Sequence, residues 1–212
     1  MNSIANIRKD YSLRSLNENE VANNPTAQFD VWWQEALNSN IDEVNAMTLA
    51  TATKEGKPDG RIVLLKGFDE KGFVFFTNYE SRKAQEIAAN PFATLVFFWK
   101  ELERQVRIEG TVAKIDGAES DNYFNARPIG SRIGAWASPQ SQIISNRDLL
   151  EENVKALEIK YAEAYIPRPA HWGGYIVVPT QVEFWQGRSS RLHDRVRYRM
   201  QSDAWVMERL AP

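Results

Sequence analysis

Residues 46–78 read AMTLATATKEGKPDGRIVLLKGFDEKGFVFFTN. Three runs rich in β-branched and aromatic residues, MTLATAT, RIVLLKGF and FVFFTN, are separated by KEGKPDG and DEKG, which are dense in Gly, Pro, Asp and Lys. Runs of that texture bounded by turn residues are strands, and three in succession predict an antiparallel meander.

Upstream, PTAQFDVWWQEALN at 25–38 places Phe29, Trp32, Trp33 and Leu37 at helical spacing, which predicts an amphipathic helix with an aromatic face turned inward. The residues before it, 1–20, read as a mobile arm attached to a single domain over 21–212. Downstream, Ser81 reads as an N-cap for a helix closed by Asn90-Pro91. FATLVFFW and RQVRIEGTVAKI read as two strands joined by KELE, and a short helix is expected around AESDNYFNAR. Pro128–Ile144, rich in Gly, Ser, Pro and Gln, reads as an ordered loop. Ser145–Asp148 reads as a capping box opening the helix LLEENVKALEIKYAEAY, which Pro167 and Pro169 end. GYIVVPTQVEFWQG, RLHDRVRYRM and WVMERLAP complete the strands. Strands dominate and no repeat or linker divides the chain, so a small closed or split β-barrel with peripheral helices is the expected architecture, since closure removes exposed edges.

The bulk composition narrows the chemistry. A chain of 212 residues with 43% hydrophobic and 25% charged residues is an ordinary globular protein, long enough to bury a sizeable core. With no cysteine, thiolate catalysis, disulfides, iron–sulfur clusters and cysteine-ligated zinc are excluded, and two histidines argue against a histidine-rich metal site. MNSIANIRKDYSLRSL has no apolar stretch of signal-peptide length and no later run approaches a bilayer span, so the expected address is the cytoplasm, away from any membrane.

The formal net charge is -2, yet basic residues gather in islands: IRKDYSLR, GRIVLLK, SRK and RSSRLHDRVRYR. Such islands suit a few small phosphates better than a nucleic-acid polymer. Arg61 and Lys66 frame an apolar strand and read either as solvated strand ends or as phosphate clamps. Arg82 and Lys83 open a helix, where two cations oppose the macrodipole by about 0.3–1 kcal/mol each unless an anion binds. If the chain is extended from Arg191, then Arg191, His193 and Arg195 share one strand face, a stack of cations that needs water or an anion to relieve it. Neither G-x-G-x-x-G after a strand, nor G-x-x-x-x-G-K-[ST], nor G-x-S-x-G is present.

The motifs EFWQGRSSRLHDR, GRIVLLK, TNYESRKAQEI, LERQVRIEG, YFNARPIGSRIGAWASPQS and terminal ERLAP resemble, in order and spacing, the pyridoxamine 5′-phosphate oxidase family from about Ile7 to Pro212. The resemblance implies a mainly β fold, a split β-barrel binding flavin mononucleotide (FMN) at the interface of a homodimer. It places flavin phosphate and ribityl contacts on Arg61, Lys66, Arg82, Lys83 and Ser141 with Gln140 beside them, contacts around the ring on Thr77 and Gln105, and a further cofactor contact on Phe76, with Trp185 and Arg195 supplied by the second subunit. It places the substrate phosphate on Lys66, Tyr123, Arg127 and Ser131, and gives Arg191 and His193 the catalytic positions beside the pyridine ring. Arg8 and Tyr11 match arm residues that close over the site.

The implied reaction oxidises C4′ of pyridoxamine 5′-phosphate or pyridoxine 5′-phosphate to pyridoxal 5′-phosphate. Dioxygen is the acceptor, hydrogen peroxide is formed, and the amine substrate releases ammonia; no metal takes part. Two other readings stand beside it. One is a flavin-binding barrel with a different or lost activity. The other is a single-stranded nucleic-acid barrel using basic and aromatic residues.

Overall fold

In the computed structural model, which describes residues 4–7 and 9–212, nine strands of the described chain form one strongly curled sheet. The strands are β1 (Ala46–Ala52), β2 (Pro58–Leu64), β3 (Gly67–Asp69), β4 (Gly72–Asn78), β5 (Phe92–Trp99), β6 (Arg104–Lys114), β7 (Trp172–Gln186), β8 (Asp194–Gln201) and β9 (Ala204–Leu210). Their order is β2-β1-β5-β6-β7-β4-β3, and β8 and β9 continue from the far half of β7. This is a split β-barrel with peripheral helices.

The period-2 pattern decides which face turns inward. Met47, Leu49 and Thr51 of β1, Leu95 and Phe97 of β5, and Val106 and Ile108 of β6 are buried. Helix α1 (Pro25–Leu37) closes the barrel, with Asn24 accepting the Ala27 amide as cap and Pro25 in the first turn. Phe29, Trp32 and Ala36 enter the core, where Trp32 meets Phe184 edge-to-face at 5.2 Å.

β7 is the spine. Its first half pairs with β4 on one side, its second half with β8, and β6 runs along most of its length. The β6–β7 register shifts at Glu109/Gly110, opposite Pro179, which has no N–H to offer the ladder. A side chain at Gly110 would place Cβ 2.1 Å from the Val178 carbonyl oxygen, so the bulge admits only glycine.

Three helices, α3 (Gly117–Ala126), α4 (Ile129–Ala137) and α5 (Asp148–Lys160), form a second small core on the β4–β7 side around Phe124, Ile133, Ile166 and Trp172. Helix α2 (Arg82–Ala89) leans on β1.

Several expectations are corrected. The meander is two hairpins, β1–β2 and β3–β4, because β4 leaves to pair with β7. Pro128–Ile144 is not all loop: burial of Ile133 and Ala137 outweighs the low propensity of Gly130 and Gly134, and α4 forms. The capping box is absent, since the Leu149 amide is accepted by Asn146 and not by Ser145, and α5 stops at Lys160. Ser81 occupies the N-cap position of α2, but its hydroxyl donates to the Asn78 carbonyl and caps nothing. β8 starts at Asp194, because Ser190 and Arg191 adopt left-handed backbone (φ 56° and 61°) in a 3-10 turn. Among the described residues no helix is long and apolar enough to cross a membrane.

Candidate functional site

The structure gathers half of the expected residues in one cavity of about 530 Å³. Arg61, Lys66, Phe76, Thr77, Lys83, Tyr123, Arg127, Ser131 and Gln140 all line it, and no carboxylate does. Arg61 and Lys66, expected at opposite ends and on opposite faces of one strand, both line it: Arg61 sits in the middle of β2, which stops at Leu64, and Lys66 lies in the connection before β3. β4 contributes Phe76 and Thr77, α2 contributes Lys83, and α3 with α4 contributes Tyr123, Arg127 and Ser131.

The cations divide into two kinds. Arg61 and Arg82 are neutralised from within. Arg61 reaches Asp59 (2.6 Å), buried Glu86 (3.3 Å) and the Thr51 hydroxyl (2.6 Å), while Arg82 bridges Asp59 (3.2 Å) and Glu86 (3.0 Å). Arg82 stays largely exposed beside the cavity. Burial works to raise the Glu86 pKa, but the Thr51 hydroxyl, Arg82 and Arg61 outweigh it and hold the carboxyl below its ordinary range.

Lys66, Lys83 and Arg127 form no ion pair among the described residues. Lys83 Nζ has only loose contacts, 3.4 Å each, to Thr77 Oγ1, Ser81 Oγ and Gln140 Oε1. Burial first, and the Arg61 charge second, hold its pKa below that of an ordinary lysine. The Arg127 guanidinium lies 4.5 Å over the Trp172 ring, its Nη1 is buried without a hydrogen-bond partner, and burial lowers its pKa. A buried unpartnered donor is costly, and an anion in the cavity removes that cost. Tyr123, Phe76 and Trp172 stack beside it, with Phe76 and Tyr123 centroids 3.9 Å apart. The donor set fits a phosphate, and the aromatic wall fits a flat ring.

A second cavity of about 440 Å³ lies elsewhere, lined by Lys9, Asp10, Tyr11, Arg188, Ser190, Arg191 and His193. Here the shared strand face is corrected: the left-handed pair at 190–191 turns Arg191 and His193 into this cavity, while Arg195 lies on the sheet and chelates Glu183 (2.9 and 3.0 Å). His193 packs on Trp185 at 4.6 Å, and its Nδ1 accepts the Arg188 amide, which leaves the ring proton on Nε2. Arg8 lies outside the described residues.

Gln105, Trp185 and Arg195 enter neither cavity. They are register partners across β6, β7 and β8, so they form a row on the outer face of the sheet that starts at exposed Phe98. Ser141, exposed and left-handed at φ 70°, follows Gln140 without lining the cavity.

The reading of residues missed Asp59 and Glu86, which aim the arginines, and Glu103 and Asp194, which bind the arm. For Glu86 a signal was present, since it stands four residues after Arg82 on one helix.

The chain matches the family model described as pyridoxamine 5′-phosphate oxidase over residues 33–161, and the model described as the pyridoxine 5′-phosphate oxidase C-terminal dimerisation region over 172–212. It is 58% identical over 210 residues to the pyridoxine/pyridoxamine 5′-phosphate oxidase of Cyanothece sp., covering 99% of each chain. It is 56% identical over 213 residues to that of Cupriavidus pinatubonensis, covering 100% of each. Among solved structures, PhzG from Burkholderia lata in complex with tetrahydrophenazine-1-carboxylic acid superimposes with TM-score 0.89 at 28% identity, covering 95% of this chain and 100% of that one. A pyridoxamine 5′-phosphate oxidase-related, FMN binding protein from Nostoc punctiforme gives TM-score 0.71 at 19% identity over 91% of this chain and all of its own.

Proposed function

Since this chain belongs to the pyridoxamine 5′-phosphate oxidase family, we propose that it is an FMN-dependent oxidase converting pyridoxine 5′-phosphate and pyridoxamine 5′-phosphate to pyridoxal 5′-phosphate with dioxygen as acceptor. The observation that carries this reading is the cavity, lined by no carboxylate, in which Lys66, Lys83 and Arg127 have no counter-ion among the described residues while an aromatic stack forms one wall.

FMN, when bound, supplies the redox chemistry, taking two electrons from the substrate and delivering them to dioxygen as hydrogen peroxide. The side chains bind and orient. Arg61, Lys66, Arg82, Lys83 and Gln140, with Ser141 at the cavity's edge, would hold the cofactor's phosphate and ribityl chain; Phe76 and Thr77 would meet its ring from the cavity, and Gln105, in the outer row with Trp185 and Arg195, would meet it at the subunit interface. Lys66, Tyr123, Arg127 and Ser131 hold the substrate phosphate. Arg191 orients the pyridine ring, and His193, with its proton on Nε2, donates to a substrate oxygen or nitrogen.

A second copy of the chain is part of this reading. Trp172 lines the first cavity, while Trp185 backs His193 at the second. The two tryptophans stand at opposite ends of β7, and thirteen residues of strand measure roughly 40 Å of contour at about 3.3 Å each. The two cavities share no lining residue, so in this reading one pyridine phosphate meets both through two different chains. In a homodimer the Arg191–His193 end of one copy, with its Trp185 and Arg195, completes the phosphate cavity of the other. Residues 21–212 act as the single domain carrying both half-sites, and 1–20 as the arm beside the second.

The test supplies purified yellow protein with pyridoxine 5′-phosphate. In air, pyridoxal 5′-phosphate and peroxide form in equal amounts; without oxygen the flavin colour bleaches once. A yellow protein that neither bleaches nor turns over is a flavin barrel of another activity. A colourless protein with salt-sensitive oligonucleotide binding overturns the reading altogether.

A further inference from the structure

We infer that Glu103 is a positioning residue for the substrate-facing half-site: it straps the arm down so that Tyr11 is held against His193. The inference rests on the assignment of Arg191 and His193 above. Glu103 follows a 3-10 turn between β5 and β6 in left-handed backbone (φ 55°), a conformation that turns its side chain away from the ladder and toward the arm.

Its carboxylate is among the most buried acids of the chain, and every group it engages belongs to the arm. Oε2 accepts the amides of Ser12 (2.9 Å) and Leu13 (3.1 Å), and Oε1 pairs with Lys9 Nζ (3.1 Å). Burial pushes its pKa up, and the Leu13 amide, Lys9 and the Ser12 amide more than offset that, leaving it below the ordinary carboxylate value.

The backbone of the same residue grips the other partner. Its carbonyl accepts the Gly187 amide (2.7 Å) and the Gln186 side-chain amide (3.2 Å), at the point where β7 ends and the Arg191–His193 segment begins. Glu103 therefore ties arm and segment to one point. Tyr11, enclosed between Lys9 and Ser12, then packs on Gly187, where a Cβ would lie 2.7 Å from the Tyr11 ring, and stands edge-on to Trp185 (5.8 Å) and His193 (6.0 Å). Beside the strap, the Asp10 carboxylate accepts the Ser190 amide at a longer 3.3 Å and on the exposed side, so Glu103 is the buried tie of the two.

The experiment uses the full-length holoenzyme as wild type, Glu103→Ala, Glu103→Gln, Tyr11→Ala and the Glu103→Ala/Tyr11→Ala pair. Hydrogen exchange at the Ser12 and Leu13 amides is expected to accelerate at least about tenfold in Glu103→Ala. KM for pyridoxine 5′-phosphate is expected to rise about tenfold, the scale of one lost charge-assisted contact, with FMN affinity unchanged. Glu103→Gln, which keeps an accepting oxygen, restores most of both, and the pair is no worse than Tyr11→Ala alone. Unchanged exchange in Glu103→Ala overturns the strap. Fully additive KM effects, or loss of FMN, overturn its action through Tyr11. Wild-type protein without turnover refutes the oxidase reading, while the exchange result still judges the strap.

Discussion

Arg127 carries a charge that no carboxylate among the described residues neutralises, and its Nη1 is buried without a partner. Replacing an uncompensated, half-buried ion by an apolar side chain of similar size costs a ligand-free protein little. Arg127→Met is therefore expected to leave the melting temperature of the apo-protein unchanged or higher, while raising KM for the phosphorylated substrate by about ten- to a hundredfold; calorimetry and steady-state kinetics check both. Glu86 behaves in the opposite way. Its folded pKa lies below the unfolded one, so in acid the unfolded chain binds the extra proton, and the stability it contributes is present at neutral pH and lost as the pH falls below about 4. Glu86→Gln is expected to be less stable than wild type at pH 7, with the gap closing toward pH 3 in urea titrations. The clustering of the cations was legible as basic islands in a chain of net charge -2. Which of them were free was not: Asp59 stands two residues before Arg61 on the same strand, but Glu86 reaches Arg61 from a helix that only the fold brings beside it.

At the scale of elements, period alone carried most of the structure. α1 shows its aromatic face in the spacing of Phe29, Trp32 and Trp33, and Phe29 and Trp32 are buried as that spacing requires, but Leu37, expected on the same face, is exposed at the helix end. Trp32→Ala should cost about 3–5 kcal/mol by removing a ring packed between Phe184 and the Arg104 guanidinium, whereas exposed Leu37→Ala should stay within about 1 kcal/mol; denaturant midpoints distinguish them. α4 escaped sequence reading because two glycines dilute its periodicity and its stability comes from packing against α5 and Trp172. The start of β8 escaped because Ser190 and Arg191 take left-handed backbone without glycine to announce it. Strand partners were invisible for a simpler reason: alternation tells a strand which face is buried and says nothing about its neighbour, so the departure of β4 to β7 left no local trace.

Over the whole molecule, the length of β7 is the controlling fact. One end of it borders the cavity of Lys66, Lys83 and Arg127, which form no ion pair among the described residues, the other end backs the cavity of Arg191 and His193, and Gln105, Trp185 and Arg195 stand in a row on the outer face of the sheet. The family match that includes a C-terminal dimerisation region over 172–212 covers this same strand and the two that follow it. An active site assembled from opposite ends of two copies makes a demand that no single-chain site makes. Differently tagged Arg127→Ala and His193→Ala chains, each nearly inactive alone, are reassociated and the doubly tagged heterodimer is assayed with pyridoxine 5′-phosphate. One of its two sites then has both residues intact, and about half of wild-type turnover per dimer is expected. Turnover no greater than that of the two parent variants would place both residues in the same chain's site and contradict the account.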